Sequence, residues 1–338
     1  MNRRTTISFG MRNGVAKEVI AMKKNKVLLV VALVFGVLLA GLAYAQAAGY
    51  AENGAIASVT DTITHDNVRT VNVEIATVLP DEPKQLPIYR VTDANVSKCE
   101  AIAIAKEFNF GTEPKVISYP VQPGNALSLL KTKYLFKNGS CYIEIDASSR
   151  AVMYGNSDKM MRVSNNLPSK SDAIKMAQKF LKQHGISVNN ATIEAETIFL
   201  NKLDTSTNEI LDKKPMMVQV RFKRYVDGMR VMGAGGKVIV TIGDDGEPVH
   251  FLKNWRTLEP AGTTDVIPLS AAIDKLKRLE VKDVPLTPIR SIEVIGVNLG
   301  YYGDIPSEEQ TSYEPVWVFD VKTPTSTETI QLCVDATT

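Results

Sequence analysis

Two segments of the chain, SKCEAIAIAKEF (97–108) and SKSDAIKMAQKF (169–180), share Ser, Lys, Ala, Ile, Ala and Phe in register at an offset of 72 residues. A looser third copy, PLSAAIDKLKRL, occupies 268–279 and keeps a Ser before an Ala-Ile pair. A local pattern used three times predicts three similar local structures, and the spacing says which. Ala101, Ile104, Ala105 and Phe108 fall on one face of a helix, as do Ala173, Met176, Ala177 and Phe180. Ser97 with Glu100 three residues on is a capping box, and Ser169 with Asp172 is a shorter-armed version of it. Gly185, directly after His184, has the place of a left-handed helix cap, and His184 sits where a donor favours the negative end of the helix.

Strand-like runs follow each helix. The first group has LSLLKTKYLF (127–136) and CYIEIDASSRAVMYG (141–155). The second has ATIEAETIFL (191–200), MMVQVRFKRYVDGMRVMG (216–233) and GKVIVTIGDDGEPVHFLKNWR (236–256), with Asp244-Asp245-Gly246 as a hairpin turn. The third has SIEVIGVNLGYY (291–302), EPVWVFDVKT (314–323) and TIQLCVDATT (329–338). Alternation is clearest at Val218, Val220 and Phe222, with Gln219, Arg221 and Lys223 on the other face. The expected fold class is α+β, built from tandem units of one helix packed on an antiparallel sheet. The unit boundaries are 88–165, 166–262 and 263–338.

The amino-terminal part reads differently. Residues 17–20, Lys-Glu-Val-Ile, can be encoded by a purine-rich string complementary to the 3′ end of prokaryotic small-subunit ribosomal RNA, and Met22 follows at a suitable distance. Residues 1–21 are therefore expected to be a mis-assigned leader ahead of a true start at Met22. Lys23, Lys24 and Lys26 then precede an uncharged apolar run, Val27 to Ala43, and two small-x-small sites at 43–47. Residues 22–47 thus read as a signal peptide or an uncleaved membrane anchor through 27–43, with everything after them extracytoplasmic. Residues 48–87 read as a stalk and a proline-bearing linker, with TVNVEIATVL as the better strand candidate. Seven of the 39 basic residues but only one of the 37 acidic residues precede residue 46, so the exported part is mildly acidic. That balance excludes nucleic acid as an expected partner.

The order LPSKSDAIKMAQKFLKQHG, then VRFKRYVDGMRVMGAGGKVIVTIGDDGEPVHFLKNWR, resembles PepSY and thermolysin-propeptide domains. The likeness extends to AAIDKL, LGYYGD, YEPVWVFDV and VDATT, and to Val226-Asp227-Gly228-Met229-Arg230-Val231 followed by a glycine-rich turn. It covers roughly 165–338, with 88–155 as a more diverged unit. The C-terminal part is also similar to membrane-anchored extracytoplasmic regulators of Gram-positive cell-wall sensor kinases. The resemblance implies a PepSY/cystatin-like fold and a protein partner, a protease or a sensor. The propeptide type acts on a linked protease, and no protease motif follows in this sequence.

Residues with chemistry are few. His65, His184 and His250 are scattered, and neither a His-Glu-x-x-His nor a Gly-x-Ser-x-Gly element occurs. Gly233 to Lys237 fails as a phosphate loop because Val238 follows the lysine. The segment 204–215 fails as a calcium loop because Glu209 and Pro215 stand where Gly and the last carboxylate belong. Asp244, Asp245 and Glu247 read as a polar turn. Cys99, Cys141 and Cys333 form no disulfide framework; Cys141 shares parity with Ile143 and Ile145, whereas Cys333 takes the opposite face of its strand. Asn95, Asn138 and Asn190 begin glycosylation sequons. Aromatic residues concentrate late in the chain. Tyr301, Tyr302, Tyr313, Trp317 and Trp255 are the candidate partner-binding residues, with packing between units as the alternative role. Trp317 and Phe319 share one parity and Val316 and Val318 the other, so that strand is expected to be buried on both faces. No catalytic residue, cofactor or metal is expected. The expectation is an exported, non-enzymatic binding or regulatory protein; the alternative is a secreted small-ligand carrier with a pocket between helix and sheet.

Overall fold

The computed structural model describes residues 5–10, 70–120, 130–160, 162–204, 210–283, 289–324 and 326–337. The apolar segment 27–43, the Met22 start and His65 lie outside the described residues. Among the described residues no helix is long and apolar enough to cross a membrane.

Strand β1 is Thr5–Gly10, β2 Asn72–Ile75 and β3 Gln85–Val91. Helix α1, Lys98–Glu107, precedes β4 (Lys115–Pro120), β5 (Leu130–Asn138), β6 (Cys141–Asp146) and β7 (Val152–Asn156). Helix α2, Lys170–Gln183, leads into the hairpin of β8 (Ala191–Asp204) and β9 (Ile210–Val226). Then come β10 (Met229–Gly233), β11 (Lys237–Ile242), β12 (Pro248–Asn254) and β13 (Leu258–Asp265). Helix α3, Leu269–Lys277, is followed by β14 (Ser291–Gly303), β15 (Ser312–Tyr313), β16 (Pro315–Thr323) and β17 (Ser326–Asp335).

The helices start as their sequences dictate. Ser97 accepts from the Glu100 amide while the Glu100 carboxylate accepts from the Ser97 amide, which completes the capping box. Ser169 accepts from the Asp172 amide, but the Asp172 carboxylate reaches the Ser169 hydroxyl rather than its amide, one methylene short of the full box. The third copy departs from the pattern: α3 is entered through Pro268 with no side-chain cap, and Ser270 lies inside the first turn. Gly185, at φ 63°, terminates α2.

Alanine on α1 and α2 lets both helices lie close against one face of the sheet. Ala101, Ala105, Ala173, Ala177, Phe180 and Leu181 meet Ile143, Ile145, Val218, Val220, Phe222, Val238, Val240 and Phe251. Each fully buried branched or aromatic side chain contributes roughly 1.5–3 kcal/mol. A second core lies under α3, where Leu269, Ala272 and Leu276 pack on Ile292, Val294, Trp317, Phe319, Val321 and Val334. As its alternation predicts, β16 is buried on both faces, with Val316, Val318 and Cys333 in a separate cluster.

The expected tandem arrangement of helix-on-antiparallel-sheet units is overturned. Among the described residues, fourteen strands form a single mixed sheet in the order β17-β16-β14-β10-β9-β11-β12-β7-β6-β5-β4, with β1, β2 and β8 branching from it. β7 joins β12 edge to edge through four antiparallel pairs, His250↔Gly155 to Lys253↔Val152. β10 joins β14 in parallel, Arg230↔Gly300 to Gly233↔Gly303. β2 also lies parallel to β14, and β3 joins β13 and β15 in a second, three-stranded sheet. The physical reason is the edge strand. Each group of strands ends in unpaired N–H and C=O groups, and the neighbouring group satisfies them. The parallel seam depends on glycine: a Cβ on Gly235 would stand 2.6 Å from the Gly303 Cα, and the Gly235 amide donates to the Gly303 carbonyl at 2.8 Å.

Candidate functional site: a cationic cavity at the end of the sheet

The helices do not cover the whole inner face. Along β9 the inward residues run Val218, Val220, Phe222 and then Arg224. Along β12 they run Val249, Phe251 and then Lys253, with Trp255 just beyond the strand. Along β7, which runs the other way, Tyr154 and Val152 are preceded by Arg150. Antiparallel pairing brings these three row ends to the same end of the sheet. There the helices stop, and a cavity of about 630 Å³ opens.

Its floor is Arg150, Lys253, Trp255 and Arg224; its walls are the last turn of α1, the loop after α2, Tyr89 of β3 and Leu258 of β13. Phe108 and His184, at the two helix ends, stack face to face with centroids 4.3 Å apart, and the His184 ring is tied through Nδ1 to the Glu107 carbonyl at 2.9 Å. Phe108 also stacks on Phe251 at 5.6 Å. The loop after α2 is held by the Tyr225 amide, which donates to the Asn190 carbonyl at 2.7 Å.

The cations are incompletely balanced. The Arg224 guanidinium donates to the Arg256 carbonyl at 2.5 Å and lies 5.1 Å from the Trp255 ring centroid, with no carboxylate partner among the described residues. Burial lowers its pKa. Arg150 reaches Glu100 at 3.4 Å. Lys253 makes no hydrogen bond or ion pair with any described residue; burial depresses its pKa, Arg150 adds to the depression, and Asp93 and Glu107 oppose it. Asp93 is itself held by the Thr257 amide at 2.9 Å and hydroxyl at 2.8 Å. The acidic groups on the lining are Glu107 and Asp227. Asp227 accepts from the Tyr89 hydroxyl, and burial together with that carboxylate pushes the Tyr89 phenol up to about 12.

Arg256 also lies on the lining, and its side chain has a structural task. It is buried and donates to the carbonyls of Asp304, Ile305 and Glu308 and to Gln310 Oε1, at 2.7 to 3.3 Å. This clamps the loop between β14 and β15.

Of the expected partner-binding residues, only Trp255 lies in the cavity. Tyr301 is fully buried and supports it from below, edge-on to Tyr89 at 5.3 Å. Tyr313 is buried in the same cluster, Tyr302 packs with Val316 and Cys333, and Trp317 sits in the core under α3 and donates to the Ile267 carbonyl at 3.1 Å. These four rings are interior packing residues. Sequence reasoning missed Arg150, Arg224, Lys253 and Tyr89. The available signal was a cation at the inward parity of an apolar row, at Val-Val-Phe-Arg in β9 and Phe-x-Lys-x-Trp in β12. His250 is a buried strand residue, and the turn at 244–246 binds Ser164 and Asn166 through Asp244 and Asp245. Among the described residues no group of three or more His, Cys, Asp or Glu could hold a metal ion.

No protein-family model matches the sequence, and no curated protein does. Solved structures similar to it include an uncharacterized protein from Eubacterium rectale, at 15% identity and TM-score 0.41, covering 80% of this chain and 89% of that one. The C-terminal domain of YpeB from Bacillus megaterium aligns at 15% identity and TM-score 0.31, covering 72% and 95%. YycH from Bacillus subtilis aligns at 14% identity and TM-score 0.34, covering 68% and 53%.

Proposed function

We propose that the chain is an exported, non-enzymatic binding protein with a regulatory role, and that it holds a protein partner through the cavity at the end of the sheet. The observation that carries this reading is the convergence of Arg150, Lys253 and Arg224 at the ends of three inward rows. A desolvated cation without a partner costs stability, so a binding site is a physical reason to keep one there. The chemistry of the lining is that of recognition: cations, aromatic faces, a histidine tied to a backbone carbonyl and a tyrosine engaged by a carboxylate. The volume is within the range of ligand sites, and a junction of separate chain segments is a common place for one. Export rests on the lysine cluster and the apolar run after Met22.

A photo-crosslinking side chain at Ser187, on the cavity wall, tests the reading when compared with the same group at Lys322, on the far strand β16. With the full chain expressed in its own cells, the Ser187 position is expected to give a discrete protein adduct on the outer side of the membrane. Equal labelling from both positions, or adducts with cytosolic proteins alone, would overturn it.

A further inference from the structure

The three cations are set out in a row whose length can be read from the sheet. Arg150 stands two residues before β7, Lys253 on the neighbouring β12 level with Val152 and Phe222, and Arg224 on β9, two strands farther across β11 and two residues further along. With strands about 4.8 Å apart, the row spans roughly 15 Å. A single carboxylate reaches one end of such a row. An extended segment in the polyproline II conformation advances about 3.1 Å per residue with three residues per turn. Residues three apart on it therefore share a side and lie about 9 Å from each other. Lys253 and Arg224 are two strands across and two residues along from each other, about 12 Å between backbones, a gap that their long side chains can narrow to the spacing of such a pair. Between those two cations the floor is Trp255, and the wall above is Phe108 stacked on Phe251. Gly236 of the segment entering β11 leaves no side chain in the row, because a Cβ there would stand 2.7 Å from Val231.

From this layout we infer that the cavity takes an extended acidic segment of its protein partner. One carboxylate lies on Lys253 and Arg150, a second three residues away lies on Arg224, and an apolar side chain between them lies on Trp255. The inference rests on the cavity being the binding site proposed above. The carbonyl ends of α1 and α2 bound the cavity at its wall, so the segment's carboxylates belong at the floor, away from those ends. Glu107 and Asp227 at the margins disfavour an acidic segment laid in any other register.

Fluorescence anisotropy with three labelled peptides tests this on the full chain recovered from its own cells. The peptides carry Glu-Leu-Leu-Glu, Gln-Leu-Leu-Gln or Lys-Leu-Leu-Lys in the same flanks. The acidic peptide is expected to bind, the amide version to bind about tenfold more weakly or worse, and the basic version not to bind. Binding of the acidic peptide weakens as salt rises. Lys253→Met and Arg224→Leu each lower its affinity about tenfold, with unchanged melting cooperativity as the folding check; Arg150→Gln is the second variant should either melt abnormally. Free glutamate and inorganic phosphate serve as competitors. Competition by either at the peptide's own concentration would replace the segment with a small anion and overturn the inference. Equal affinity for the acidic and amide peptides, or indifference to all three substitutions, would overturn it while leaving the Ser187 adduct and the proposed function standing. Loss of the Ser187 adduct would remove both.

Discussion

The inner face of the sheet has two halves made by the same strands. Under α1 and α2, β9 and β12 present Val218, Val220, Phe222, Val249 and Phe251, all nearly inaccessible to solvent. Two or four residues farther along the same rows stand Arg224, Lys253 and Trp255, half-buried and uncovered. Backbone geometry is common to both halves; only the presence of a helix differs. The helix-covered part of the sheet and the part that lines the cavity are thus divided by where the helices end, at Glu107 and Gln183.

That division can be attacked most severely from the covered side. Phe222→Ala, fully buried beneath the helices, is expected to cost about 3–5 kcal/mol, measured by denaturant unfolding. The reverse face of β12 supplies an intermediate test. His250 is buried beside Thr241, its cross-strand partner, and burial lowers its pKa to about 4. The native state therefore refuses a proton that the unfolded chain accepts near pH 6.5. Stability from this group is complete above that pH and is lost as pH falls toward 4, by up to about 3 kcal/mol. Unfolding curves across that window should show the loss in the parent protein and not in His250→Gln. The smallest effect has the opposite sign. Lys253→Met removes a desolvated charge and should stabilise by about 1 kcal/mol at neutral pH, visible as a modest rise in melting temperature. Because the folded pKa of Lys253 is lowered, the parent gains stability as pH rises through the alkaline range, and the two proteins should converge there. A destabilised Lys253→Met would erase the distinction between the halves.

Much of the secondary structure was legible in the residues. Nearly every alternating run is a strand, because alternation reports directly which face a side chain takes. The unit architecture was not legible, because alternation says nothing about which strand lies alongside. Strand β13 is hidden by Pro260 and Gly262 and by the exposure of most of its residues, and β3 by Pro87 within the expected linker. Gln219 does take the face opposite Val218, but that face is itself buried there, together with Thr241 and His250. The cavity was legible in part. Trp255 stands out among the aromatic residues, whereas Arg224 lies one step past the apolar row of Val218, Val220 and Phe222 and is visible only when that row is followed to its end. Tyr89 has no signal at all, since its neighbours Asp227 and Tyr301 come from distant parts of the sequence.

Strand β3 pairs with β13 and, through Tyr89 and Arg90, with β15. It is made early in synthesis, and both of its partners are made late. On the proposed export route β3 therefore emerges into a space where nothing yet exists for it to pair with. The chain must stay open until its last third arrives, and that waiting time is when proteolysis or a chaperone has its opportunity.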